Sequence, residues 1–258
     1  MERLFGICDL AIAPLRAEAS DRCEMVSQLL FGDYFEIISK TETWAYIRTA
    51  YDDYEGWINY LQYKEITQKE CKELIQKSFI TGLFNDLEVI KENGEILHLV
   101  PGSNLPFYSN NCFHINDVNY TCKKVISTSS NFSEEIEQAA KFYLNTPYLW
   151  GGKSPYGIDC SGFTQIVFKQ FNIQIKRDAS QQALQGEVVG FLQEAKLGDL
   201  AFFDNSEGKI THVGILLNDH QIIHASGYVK INRIDNHGIY NEELKRYTHR
   251  LRIIKRYL

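Results

Sequence analysis

Apolar and polar residues alternate over short runs in the first quarter of the chain: Phe35-Glu-Ile-Ile-Ser-Lys, Trp44-Ala-Tyr-Ile-Arg-Thr and Glu55-Gly-Trp-Ile-Asn-Tyr. Alternation with β-branched and aromatic enrichment predicts strands, and Gly32-Asp33 and Asp52-Asp53 supply turn chemistry between them. Ala13 to about Glu65 therefore predicts a small all-β barrel. From about Thr67 to Lys124 the pattern weakens. Leu83-Phe-Asn-Asp-Leu-Glu-Val-Ile-Lys, Glu95-Ile-Leu-His-Leu-Val, Pro101-Gly102 and Asn119-Tyr-Thr-Cys are compatible with a second, diverged barrel, without a clear repeat. Ser127 to Asn131 reads as a polar linker. The period then becomes helical: Ser133 as cap, Glu134 and Glu135 in the first turn, Ile136, Ala139, Ala140, Tyr143 and Leu144 as the apolar face, and Asn145-Thr-Pro147 as the stop. A second helix is predicted at Cys160 from the spacing of Phe163, Ile166, Val167 and Phe171. Gly198–Asp204, Val213–Leu217 and Gln221–Ser226 read as strands. Helices followed by an antiparallel sheet predict an α+β domain. The expected division is residues 1–65, 66–127 and 128–258.

Composition narrows the functions available. The 258 residues are 44% hydrophobic and 23% charged, enough for full cores. A formal net charge of -6 argues against nucleic acid as a partner, which calls for a basic stripe. No run approaches the roughly 20 apolar residues of a membrane span. The start, Met1-Glu-Arg-Leu-Phe-Gly-Ile-Cys-Asp, lacks the features of a signal peptide, so the expectation is a cytoplasmic protein. Cys8, Cys23, Cys71, Cys112, Cys122 and Cys160 include no C-x-x-C pair, which disfavours a zinc knuckle or redox motif. Reduced thiols are expected, five of them simply packed.

The exception is Cys160, which ends the stretch Tyr148-Leu-Trp-Gly-Gly-Lys-Ser-Pro-Tyr-Gly-Ile-Asp-Cys. A cysteine in the first turn of a helix feels the positive end of the helix dipole, which favours a thiolate nucleophile. Thr211-His212-Val-Gly and Ile223-His224-Ala-Ser flank the polar turn Asn218-Asp219-His220, which predicts a hairpin. Centred on Asn218, that hairpin makes His212 and His224 direct cross-strand neighbours, Cβ atoms roughly 4.5–5.5 Å apart. Either histidine alone reads as a half-buried strand residue. Together, on a face packed against the Cys160 helix, they complete a nucleophile, base and orienting residue. The N–H of Cys160 would help hold an oxyanion. His98, His114, His220, His237 and His249 are expected to be solvated.

Tyr148-Leu-Trp-Gly-Gly, Asp159-Cys160-Ser161-Gly162, Gly198-Asp199-Leu, His212-Val-Gly-Ile and Ile223-His224-Ala resemble, in order, the motifs of the NlpC/p60 cysteine peptidases, which have a reduced papain-like fold. The likeness covers Ser133 to Leu258. Leu15-Arg16, Gln28-Leu-Leu-Phe-Gly32, Trp44-Ala-Tyr-Ile and Gly56-Trp57-Ile58 resemble a bacterial SH3-like domain. The whole chain is thus similar to the γ-D-glutamyl-L-diamino acid endopeptidases of that family. The resemblance implies Cys160 as nucleophile, His212 as base and His224 as orienting residue. It implies substrate contacts from Tyr148, Asp159 and Ser161, with a helix cap as the other reading of Asp159. It also implies Asp178 as partner of a free L-alanine amine, and Glu24 and Tyr54 of the first SH3-like domain closing the pocket. Glu18 and Tyr60 compete for the last two roles, and Ala179 stands where the family has serine. The implied substrate is a free murein peptide, L-Ala-γ-D-Glu-diamino acid, with no metal or organic cofactor and no membrane partner, acted on by a monomer. The rival expectations are an exported peptidoglycan hydrolase with wall-binding SH3-like domains, an acyltransferase or amidase on a related fold, and an inactive binding module.

Overall fold

Seven strands form an antiparallel sheet at the start of the chain: β1 (Leu4–Ile7), β2 (Ile12–Arg16), β3 (Met25–Leu30), β4 (Tyr34–Lys40), β5 (Trp44–Thr49), β6 (Glu55–Asn59) and β7 (Lys64–Ile66). Their order is β3-β2-β6-β5-β4-β1-β7. Every second residue points inward: Ala13 and Leu15, Phe35 and Ile37, Ala45 and Ile47 meet in one core with Ile58 and Tyr63. The computed structural model describes residues 3–83, 87–123 and 128–258. It separates into two compact units, Met1–Thr128 and Ser129–Leu258.

The rest of the first unit is α1 (Gln68–Lys77), β8 (Ser78–Ile80), β9 (Leu87–Lys91), β10 (Ile96–Leu99), β11 (Asn104–Pro106), β12 (Cys112–Ile115) and β13 (Val118–Cys122). β10-β9-β13-β12 make a four-stranded sheet and β8 pairs with β11. A second core gathers Phe31, Leu74, Val89, Leu99, Phe113 and Tyr120, with Phe31 edge-on to Phe113 and Tyr120 at 5.7 and 5.4 Å. The buried Asn104 Nδ2 donates to Asp33 Oδ1 at 2.6 Å. Helix α1 lies where the sequence pattern was weak. Residues 84–86 of the expected strand from Leu83, and Ser127 of the expected linker, lie outside the described residues.

The second unit comprises α2 (Phe132–Lys141), β14 (Lys153–Ser154), β15 (Gly157–Ile158), α3 (Cys160–Lys169), α4 (Ala179–Gln182), β16 (Glu187–Val189), β17 (Leu200–Asp204), β18 (Ile210–Leu216), β19 (Gln221–Ser226), β20 (Tyr228–Asp235), β21 (Gly238–Asn241) and β22 (Arg246–Arg256). The N-cap of α2 is Asn131, two residues before the expected Ser133. The sheet runs β16-β22-β17-β18-β19-β20-β21, and β21 pairs back onto β22, so six strands close into a barrel. Its interior holds Ala201, Phe203, Leu216, Ile222, Ile234, Ile239 and Ile254, drawn from all six strands. The alternate residues Val213, Ile215, Ile223 and Ala225 are also fully buried, on the outer face, where α3 packs against β18 and β19. All ten residues of α3 are buried, so this helix is covered all round rather than amphipathic.

Candidate active site

Cys160 is the first residue of α3, and Asp159 is its N-cap. The Asp159 carboxylate is saturated by protein donors. Oδ1 accepts from Gly162 N at 2.6 Å and Arg177 Nη1 at 3.0 Å; Oδ2 accepts from Gly151 N at 2.8 Å and Arg177 Nη2 at 2.6 Å. Arg177 also donates to Ser161 Oγ at 2.9 Å and is 1% exposed. A buried guanidinium needs such a fork of acceptors. The pair therefore fixes the glycine turn, the helix start and Ser161 as one block. Gly162 is required by contact: a Cβ there would lie 2.3 Å from the carbonyl oxygen of Gly152.

His212 lies on β18 and His224 on β19, on the same sheet face as Leu216 and Ile222. That face looks into the barrel, so the imidazoles sit at the mouth of its interior. The expectation that they face α3 is corrected, because Val213, Ile215, Ile223 and Ala225 take that side. The register also differs. Ile215 pairs with Ile223 and Leu216 with Ile222, so Gly214, not His212, lies opposite His224. His212 and His224 are diagonal neighbours, a separation aromatic rings can bridge. The glycine makes this possible: a Cβ on Gly214 would lie 2.8 Å from the Cβ of His224.

The bridge is a hydrogen bond of 2.8 Å between His212 Nε2 and His224 Nδ1. His224 Nε2 in turn lies 3.0 Å from Asn232 Oδ1 on β20. The amide oxygen only accepts, so His224 Nε2 carries the hydrogen and its Nδ1 accepts. His212 Nε2–H therefore donates, which leaves the lone pair of the neutral His212 on Nδ1. Burial, then the neighbouring imidazoles His224 and His249, holds His212 well below the usual histidine range. Burial lowers His224 to about 3, although the Asn232 bond opposes it.

The Cys160 sulfur receives backbone hydrogen bonds from Val213, the residue after His212, and from Ser161. These bonds and the Arg177 charge favour the thiolate; burial, followed by the Asp159 charge, outweighs them and pushes the thiol up to about 12. At 7% exposure, desolvation thus opposes the thiolate that the helix end favours. Among the described residues no hydrogen bond joins Cys160 Sγ to His212. Tyr148 is half-buried beside them, and burial, then Cys160 and Asp159, raises its phenol so that it remains a donor.

A cleft of about 330 Å³ opens at this point, lined by Tyr148, Thr211, His212, Ser226, Gly227 and His249. Larger hollows of about 520 and 740 Å³ lie elsewhere on the unit and lack this chemistry; the second also reaches His249. His249 corrects a further expectation. It is half-buried and stacks on His212, ring centroids 4.1 Å apart and planes 29° apart. Asp178, also half-buried, caps α4 in position but makes no side-chain cap bond. Glu24 and Tyr54 belong to the first unit: Glu24 is exposed before β3, and Tyr54 packs on the core of the seven-stranded sheet β1–β7 with its N–H on Thr49 Oγ1 at 3.0 Å. Asn232 and Arg177 carry the geometry yet were not singled out from the sequence. Alternation in Val229-Lys-Ile-Asn-Arg-Ile would have placed Asn232 on a strand beside His224. Nothing marks Arg177, between Lys176 and Asp178, as buried. No cluster of metal-ligating side chains occurs among the described residues, and no described helix is long and apolar enough to cross a membrane.

Comparison with known proteins gives the family. Residues 145–250 match the NlpC/P60 family and residues 15–60 the bacterial dipeptidyl-peptidase Sh3 domain. The chain is 30% identical over 212 residues to the γ-D-glutamyl-L-lysine dipeptidyl-peptidase of Bacillus subtilis (strain 168), covering 77% of this chain and 71% of that one. It is 30% identical over 266 residues to dipeptidyl-peptidase 6 of Lysinibacillus sphaericus, covering 90% and 93%. The crystal structure of an NlpC/P60 family protein from Bacillus cereus ATCC 10987 superposes with a TM-score of 0.81 at 19% identity, over 98% of this chain and 99% of that one. The first unit thus begins with an SH3-like domain, and the chain belongs to the NlpC/P60 family, as a hydrolase of the peptidase type.

Proposed function

We propose that this chain is a cysteine endopeptidase that hydrolyses the γ-D-glutamyl-L-diamino acid bond of free murein peptides with an unblocked N-terminal L-alanine, in recycling of cell-wall peptides. The observation that carries the reading is the relay Asn232–His224–His212, whose hydrogen bonds leave His212 Nδ1 as an open acceptor on the residue next to the Val213 N–H that holds the Cys160 sulfur. The names of the Bacillus subtilis and Lysinibacillus sphaericus relatives support the substrate class.

In this mechanism the scissile carbonyl enters against Cys160. Sγ gives its proton to His212 Nδ1 and attacks the carbonyl carbon. His224 takes up the resulting imidazolium through its Nδ1, and Asn232 keeps His224 in the accepting tautomer. The Cys160 N–H has no acceptor within its helix, and with the Tyr148 hydroxyl it donates to the oxyanion. His212 then protonates the leaving amine, a thioester remains on Cys160, and water activated by the same imidazole releases the L-Ala-D-Glu acid.

Asp178 is proposed to recognise the free alanine end, with Ser161 contacting substrate and Asp159 acting through the block it holds. The same proposal has a monomer working in the cytoplasm. Mass spectrometry of L-Ala-γ-D-Glu-meso-diaminopimelate and its N-acetylated form tests the reading. Cleavage of the free peptide only, lost in Cys160→Ala, is expected. Equal cleavage of both removes the amine role; cleavage of neither, with Cys160 inert to iodoacetamide, removes the peptidase mechanism.

A further inference from the structure

His249 is the one imidazole at the barrel mouth that the relay does not use. It comes from β22, the strand that closes the barrel, far in sequence from His212 and His224. Its ring lies on the face of His212 at 4.1 Å and 29°, edge-on to His224 at 5.7 Å and 80°, and edge-on to Phe203 at 5.9 Å and 68°. His224 is itself perpendicular to His212 at 84°. The His212 ring is therefore fixed along one edge by a hydrogen bond and across one face by a stack. A single hydrogen bond at Nε2 leaves the imidazole free to swing about that edge; a stacked ring removes this freedom.

We propose that His249 is a positioning residue of the base: its neutral ring, stacked on His212, sets the plane that aims Nδ1 at the Cys160 sulfur and shares the positive charge His212 acquires when the thiol gives up its proton. The inference rests on the peptidase reading above. An aromatic face against a nascent imidazolium is favourable in the manner of a cation over a ring. A second cation in that position would oppose it. The titratable and charged groups around His249 are His212 of β18, His224 of β19 and Lys230 of β20, with Tyr148 in the cleft they share and Asp204, His237, Tyr247 and Arg250 in the hollow on its other side; β17 presents Phe203 and β21 pairs through Ile239. Burial, then Lys230, holds His249 down to about 4, which keeps the stacked ring uncharged at neutral pH. Thr248 Oγ1 lies 2.9 Å from His249 Nδ1.

The test compares His249→Ala, His249→Phe and His249→Lys by peptide turnover and by the rate of Cys160 carbamidomethylation with iodoacetamide from pH 5 to 9. Loss of a positioning contact near reacting atoms costs about 10- to 100-fold. His249→Ala is expected to lower kcat by that amount with KM little changed, and to slow alkylation at every pH. His249→Phe, which keeps a flat ring, is expected to regain most of both, while His249→Lys falls below alanine. Thermal melts identify variants that fail to fold, and the phenylalanine variant then carries the test. Alanine and phenylalanine variants with wild-type kcat and alkylation profile overturn the proposal. So does a rise in KM at constant kcat, which makes His249 a substrate contact. Alkylation needs no substrate, so its dependence on His249 survives even if the wild-type protein cleaves neither murein peptide.

Discussion

The Asp159–Arg177 pair shows how one buried contact sets several functional positions at once. Arg177 ties together the residue before the nucleophile, the residue after it and the turn at Gly151, with side-chain exposures of 1% and 8% for the two partners. Two ions in such a site are stable only together; removing one strands the other. Arg177→Met is therefore expected to lower the stability of the second unit by about 3–5 kcal/mol, because Asp159 remains charged in a buried place. Arg177→Lys restores the charge but not the planar two-pronged geometry, and recovers only part of the loss. Urea unfolding followed by tryptophan fluorescence measures both, since Trp150 adjoins this block. A change below about 1 kcal/mol for Arg177→Met would show that the pair is dispensable.

At the scale of strands, the site depends on register. Because Ile215 pairs with Ile223, a residue without a side chain must face His224, and Gly214 fills that place. Gly214→Ala brings a methyl group to 2.8 Å from the His224 Cβ. The strand must shift or the imidazole must turn, and either breaks a 2.8 Å bond to His212. The expected result is a fall of about 100-fold in kcat with little change in KM. Kinetics within twofold of wild type would overturn the diagonal arrangement. This same detail marks how far the sequence can be read. The two histidines, their hairpin and the cysteine helix were legible because period-2 and period-3.6 patterns name faces and elements. The offset of two residues was not, since a hairpin of unknown loop geometry leaves the register open. Strands β20 to β22 were missed because charged residues, among them Lys230 at the barrel mouth and Arg233 and Arg252, interrupt the apolar signal of a closed barrel. The upward push of burial on the Cys160 thiol escaped for a different reason. Helix position is visible in a sequence, but the depth of burial that overrides it is not.

Over the whole molecule, the seven histidines are unevenly placed, and acid should tell the two units apart. The first unit carries His98 and His114, both exposed. The second carries His212 and His224 buried at 6% and 1% exposure, with His249 half-buried against them. A histidine held neutral in the folded state takes up a proton on unfolding once the pH falls below the ordinary value of 6.5. Its stabilisation is complete above that value and is lost progressively down to the folded value, about 3 for His224. In that window His224 alone removes up to about 1.4 kcal/mol per pH unit, or roughly 2 kcal/mol between pH 6.5 and 4.5. His212 acts in the same direction through its burial. The first unit has no buried imidazole. Calorimetry is thus expected to show transitions close together at pH 7.5 and a selective fall of the one belonging to residues 129–258 at pH 4.5. His224→Gln, which cannot take up the proton, should flatten the fall while abolishing turnover. If both transitions move together between these pH values in the wild-type protein, the buried relay is not the acid-sensitive part of the fold.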